Sequence, residues 1–199
     1  GAEPRIPPEP MQKRPSKRDQ LVATASALFE RDGFHATGID RVLAAAGVAK
    51  MTLYKHFPSK EALIVACIER LADRYEAALE AHLTQVDSAP RAQILATVGF
   101  YATAAEQGGF LGCPFHHAVG EFGEQGSPVN EAARAPKRAL HARLEALARA
   151  AGAASPEAAA ARLMVVLEGV LALGPLRIVE DLAAAARGLA LEALEPREP

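Results

Sequence analysis

The chain has 199 residues and a formal net charge of −2; 50% of the residues are hydrophobic, 23% charged and 5% aromatic, with no Trp. That suits an ordinary soluble globular protein of one domain, or of a small domain carried on a larger one, and the net charge at first sight disfavours a nucleic-acid partner. The two cysteines, Cys67 and Cys113, are too far apart for a disulfide scaffold or a paired-cysteine zinc finger and read as isolated thiols in a reducing compartment, while richness in Ala and Leu reads as helical; with the segments that follow, an all-α fold of about nine helices is expected.

Residues 1–10, GAEPRIPPEP, hold four prolines and no apolar run, so residues 1–15 read as a disordered arm and not as a signal peptide. Ser16 with Asp19 has capping-box spacing and opens a helix in which Leu21, Ala25, Leu28 and Phe29 recur at helical intervals. Gly33 ends it, and Phe34 is placed to fold back on its last turn. A second helix is expected to start at Thr37, with Ile39, Val42, Leu43 and Ala46 as its apolar stripe and Gly47 as its end. A short segment from Ala49 to Phe57 follows and is closed by Pro58. Ser59 caps a long helix from Lys60 to about Leu83, with Glu61 well placed for its dipole.

Further helices are expected over about Pro90 to Glu106 and over Pro128 to Ala151 with a kink at Pro136; between them the segment Gly112 to Phe122, GCPFHHAVGEF, is the oddest in the chain, with Cys113 at a helix entry and Pro114 as its natural first residue. Ser155-Pro156-Glu157 starts a helix that is apolar almost all round and stops at Gly174-Pro175. A last helix is expected from Leu176 to Leu194. The longest apolar stretch, Leu163 to Leu173, is interrupted by Glu168 and falls short of the about 20 residues a bilayer needs, so no membrane partner and a cytoplasmic location are expected.

The net charge conceals a split. Residues 1–60 carry ten Lys and Arg against six Asp and Glu, whereas residues 61–199 carry twelve against eighteen. Asymmetry of this kind points to an anionic partner at the basic end. Within that end, residues 37–57 read TGIDRVLAAAGVAKMTLYKHF: two short helices around a tight glycine turn, the second carrying polar and basic residues. That is helix-turn-helix spacing, in which the first helix holds the second at the angle needed to enter the major groove of DNA.

Residues 18–63, with LFERDGF, then TGI, AGVAKMTLYKHF and PSKEAL, resemble the TetR/AcrR family of transcriptional regulators. The resemblance implies a three-helix DNA-binding domain over 16–60 and a helical effector-binding and dimerisation domain over 61–199. It places Lys50, Met51, Thr52, Tyr54, Lys55 and His56 on the recognition helix. Tyr54 and His56 would meet phosphates, and Lys50, Met51, Thr52 and Lys55 bases or backbone. Thr37 would contact a phosphate from its helix start, and Lys60 would clamp the flanking phosphate. Lys13, Arg14, Lys17 and Arg18 would add phosphate or minor-groove contacts. Leu43, Ala46, Val48, Leu53 and Phe57 read as core; Tyr54 has core packing, and His56 a helix C-cap, as alternatives. Ala49 stands where the family often has a capping Ser or Thr, and Met51 where a small residue is frequent.

The resemblance further implies a homodimer on double-stranded operator DNA, released by a small, largely apolar effector, and most simply a repressor. Expected pocket residues are Leu71, Tyr75, Phe100, Tyr101, Phe110, Cys113, Phe115, His117, Glu121, Phe122, Met164 and Leu167. The expected dimer interface uses Val166, Val170, Ile178, Leu182, Ala186 and Leu189 from the last two helices. Cys113, His117 and Glu121 are four apart and are plausible zinc ligands on one helix face, so a small helical metal-binding protein or enzyme is the alternative. Packing or a pocket wall is the reading preferred, and no catalytic residue, metal or cofactor is expected, because there is no nucleophile–base pair and no Gly-rich phosphate loop.

Overall fold

The computed structural model describes residues 15–123 and 126–195, and the arm residues Lys13 and Arg14 lie outside them. Among the described residues there are nine α-helices, one short 3-10 turn and no strand. The helices are α1 (Lys17–Asp32), α2 (Ile39–Ala46), α3 (Lys50–His56), α4 (Lys60–Leu83), α5 (Pro90–Glu106), α6 (Pro114–Glu121), α7 (Pro128–Ala150), α8 (Pro156–Leu173) and α9 (Leu182–Leu194). They form two compact units. One holds α1 to α3, α4 as far as Arg74, α6 and the start of α7; the other holds Tyr75–Cys113 and the chain from Lys137 onward. The unit containing the helix-turn-helix is thus larger than residues 16–60, because α6 and the first turns of α7 pack into it.

In the N-terminal unit, Ser16 and Asp19 form the capping box: the Ser16 hydroxyl accepts from the Asp19 amide at 3.1 Å, and the Asp19 carboxylate accepts from the Ser16 amide at 3.2 Å. Leu21, Val22, Ala25, Leu28 and Phe29 face inward, and Phe34 returns to lie 5.4 Å from the Phe29 ring. Burying an apolar side chain of this size is worth about 1.5–3 kcal/mol, which outweighs the weak helix preference of so short a segment as α2. Thr37 does not start α2. Gly38 is its N-cap, with no side-chain bond, and the Thr37 hydroxyl instead donates back to the Gly33 carbonyl at 2.8 Å. Gly47 ends α2 at φ 61, a left-handed position that glycine takes without the Cβ penalty. Buried in the same unit, Cys67 has its thiol pushed up to about 12 by desolvation, so it is an inert neutral group.

In the C-terminal unit, α5, α8 and α9 pack on one another around Ile94, Val98, Phe100, Leu163, Leu167 and Leu171. A Cβ added at Gly174 would fall 2.6 Å from the Cβ of Ala105, so the glycine that stops α8 also lets the chain pass close to α5. Gly174–Leu176 is a 3-10 turn, and Arg177 follows in a left-handed conformation at φ 51. The last helix accordingly begins at Leu182, not Leu176, where the Asp181 carboxylate accepts from the Ala184 amide at 2.8 Å. Against expectation, Pro156–Leu176 is long and apolar enough to cross a membrane, with a mean hydropathy of 1.7. The shorter reading omitted the alanine-rich first turns. Here α8 buries Ala159, Ala160, Leu163, Leu167, Val170 and Leu171 within its own unit.

Candidate nucleic-acid interface

The short helix α3 divides cleanly by face. Leu53 and the following Phe57 are buried, while Lys50, Lys55 and His56 are exposed and Thr52 is half-buried. Met51 is 87% and Tyr54 44% exposed, which removes core packing as the role of Tyr54. The inward face is held from α1. The Gln20 side-chain amide donates to the Ala46 carbonyl at the end of α2 at 2.9 Å, and the Arg18 guanidinium lies 5.1 Å from the centre of the Phe57 ring. The outward face is a row of donors, one thioether and one phenol on a helix of just under two turns, able to offer hydrogen bonds to phosphates and base edges and apolar contact to a thymine methyl.

Neighbouring cations are unequal. Arg31 and Arg41 are both paired with Asp32, at 2.8 and 2.9 Å, which takes up their charge within the protein. Lys50 and Lys55 are exposed and take part in neither of these pairs. Lys60 donates to the His35 carbonyl at 3.4 Å; partial burial pulls its ammonium below the usual lysine value, and the Glu121 charge opposes that pull. Thr37 is corrected as a phosphate contact. Its side chain is 0% exposed and its hydroxyl is spent on the carbonyls at the end of α1.

Glu121 and Phe122 belong to this same unit and take part in its build. The Glu121 carboxylate accepts from the Phe34 amide at 3.1 Å and from the His35 amide at 2.6 Å. The His35 ring stacks on Phe122 at 4.6 Å between centroids. Both residues were expected in an effector pocket; the carboxylate is instead engaged by the turn between α1 and α2. Sequence reasoning missed this because the partners are 86 and 87 positions apart and no local pattern links them.

The other expected pocket residues are divided between the units. Leu71, Phe115 and His117 fall in the N-terminal one, His117 with its side chain exposed. Tyr75, Phe100, Tyr101, Phe110, Cys113, Met164 and Leu167 fall in the C-terminal one, where Phe100 and Leu167 are fully buried core. Burial raises the Tyr101 phenol well above its usual value. A surface groove of about 400 Å³ in the C-terminal unit is lined by other residues, among them His82, Leu95, Gly99 and Arg187. Among the described residues no three His, Cys, Asp or Glu side chains are grouped to hold a metal ion. Of the expected interface residues, Val170, Leu182 and Ala186 are buried within their own chain, in the unit where α5, α8 and α9 pack on one another. Val166 is half-buried, while Ile178 and Leu189 are exposed, as is Val165, which the sequence had not singled out.

The family model for bacterial regulatory proteins of the tetR family matches residues 21–67. The transcriptional activator FasR of Mycolicibacterium smegmatis is 43% identical over 60 residues, 30% of this chain and 27% of that protein. The transcriptional regulator RutR of Escherichia coli is 37% identical over 79 residues, 40% of this chain and 36% of that one. The matched segment spans about a third of the length of these curated relatives. Solved structures match over far more. A TetR-family regulator from Streptomyces coelicolor is 29% identical, covering 89% of this chain and 94% of that one with a TM-score of 0.77. The reduced form of NemR from E. coli is 26% identical, covering 87% and 94% with a TM-score of 0.74.

Proposed function

The chain belongs to the TetR family of bacterial regulatory proteins, and from that premise we propose that it is a cytoplasmic transcriptional repressor that binds operator DNA as a homodimer and releases it on binding a small molecule. The observation that carries the DNA-binding part is α3, whose apolar residues are buried while Lys50, Met51, Tyr54, Lys55 and His56 stand outward together. Lys50 and Met51 begin the helix and reach base edges; Tyr54, Lys55 and His56 serve phosphates, and Lys60 adds a cation at the start of α4. Thr52, half-buried, contributes to the backbone contact.

Reading two half-sites about 34–36 Å apart needs two copies. The exposed face of α8 at Ala161, Val165 and Ala172, with Leu189 on α9, supplies an apolar surface for a second copy, and it explains why α8 is apolar on the side its own unit leaves open. The effector is held in the C-terminal unit, with Tyr75, Tyr101, Phe110, Cys113 and Met164 as its wall.

The test is binding to duplexes selected by the protein from a random pool, measured across salt concentrations with and without the Lys60→Ala change. The change is expected to weaken binding to all selected sequences and to lower the salt slope by about 1. Protein that selects no duplex, or whose binding does not respond to salt, overturns the reading.

A further inference from the structure

We propose that Glu121, in the last turn of α6, is a positioning residue for DNA binding: its carboxylate holds the turn between α1 and α2 in the form that sets α2, and with it α3. The proposal rests on the DNA-binding reading above.

The turn begins where helical hydrogen bonding stops. The Gly33 amide still bonds the Phe29 carbonyl at 2.9 Å, but the next two amides, of Phe34 and His35, lie past the last helical acceptor. Glu121 supplies both, at 3.1 and 2.6 Å, and a carboxylate is the stronger acceptor for such amides because it is charged. Gly33 leaves the room: a Cβ there would fall 3.4 Å from the Glu121 Oε1 atom, and its φ of 87 is one that other residues rarely adopt.

The grip is reciprocal. The His35 Nε2 lies 2.8 Å from the Glu121 carbonyl oxygen, which can only accept, so Nε2 carries the proton. The His35 ring stacks on Phe122, and the Phe34 ring meets Phe122 edge-on at 6.1 Å. From α7, the Asn130 side-chain amide donates to the Phe122 carbonyl at 3.2 Å, and just before that helix Ser127 donates to Glu61 of α4 at 3.3 Å. On the far side of the turn, Lys60 holds the His35 carbonyl and Thr37 holds the Gly33 carbonyl. Gly33, Phe34, His35 and Thr37 are therefore held by contacts from α1, α4, α6 and within the turn, and α2 starts two residues after Thr37 with no side-chain cap of its own. The start of α2 is set by what fixes this turn, and Glu121 makes the two bonds in it that no other residue replaces.

The experiment uses the full chain and its selected duplex. In the wild type, hydrogen exchange at the Phe34 and His35 amides is expected to be protected. Glu121→Gln, nearly the same shape but uncharged, is expected to speed exchange at those two amides. It should also lower DNA affinity about tenfold, because α2 and α3 are no longer held in place. Unprotected Phe34 and His35 amides in the wild type overturn the proposal without any variant. So does a Glu121→Gln protein that binds as the wild type does, and so does a lower affinity with exchange at the two amides unchanged, which assigns the effect to something other than the turn. Wild-type protein that binds no duplex at all defeats the DNA-binding reading itself, and is distinguished by the failure appearing before any change at Glu121.

Discussion

Thr37 shows how one side chain is assigned by its surroundings. A hydroxyl at the expected start of a helix suits an anion, yet here it is buried and caps the end of the preceding helix with a 2.8 Å bond to Gly33. Thr37→Val keeps the shape and removes the hydroxyl, leaving the carbonyls at the end of α1 short of a donor. Thermal or denaturant unfolding is expected to show a loss of about 1–2 kcal/mol. The salt slope of DNA binding is expected to stay as it was, whereas a phosphate contact would lower it by about 1. Lys60 is the contrasting case. Its partial burial and its bond to the His35 carbonyl leave the ammonium at the edge of the turn, where it serves the fold and, in the proposed function, also meets a phosphate. The exposed set on α3 was legible in the sequence, because helical period and residue type together separate Leu53 and Phe57 from Lys50, Tyr54 and Lys55. The role of Glu121 was not, since it depends on a partner from a distant helix.

Among the helices, α3 is one with little support from its own ends. Ala49 at its N-cap makes no side-chain bond, and the helix has seven residues, below the length at which an isolated helix persists in water. Its place is set by Leu53 and Phe57 in the core and by α1, through Arg18 over the Phe57 ring and through Gln20 on the end of α2. Ala49→Ser supplies the missing acceptor for the first amides of α3 and is expected to raise stability by about 1 kcal/mol, seen as a higher denaturation midpoint with an unchanged m-value. The start of α9 shows the opposite error of sequence reading. Apolar period runs on through Leu176 and Ile178, but a capping carboxylate at Asp181 and the left-handed Arg177 decide where the helix begins. Period alone does not see a cap that competes with it.

For the whole molecule, the outer faces of α8 and α9 matter most. Val165 is 72% and Leu189 52% exposed in one chain, while Val170, Leu182 and Ala186 are inside it. A double change, Val165→Arg with Leu189→Glu, should leave each protomer folded, because neither side chain is in its core. If the chain pairs as proposed, the change is expected to shift sedimentation from dimer to monomer and to weaken DNA binding at least tenfold, since one head alone meets one half-site. A dimer that survives the double change places the interface elsewhere.

The sequence by itself determined the helix order, the capping of α1 by Ser16 and Asp19, the glycine turn before α3 and the basic end that carries it. Each of these is local: caps, period and turn chemistry act within a few residues. Only the tertiary structure decided which apolar residues of α8 and α9 are core and which face outward, that Thr37 is interior, and that α6 belongs with the helix-turn-helix. An apolar side chain gains as much from burial against its own chain as against a partner, so composition does not distinguish the two. A carboxylate likewise serves a metal, a ligand or two backbone amides equally well until the fold brings one of them within hydrogen-bond distance, as it brings Phe34 and His35 to Glu121.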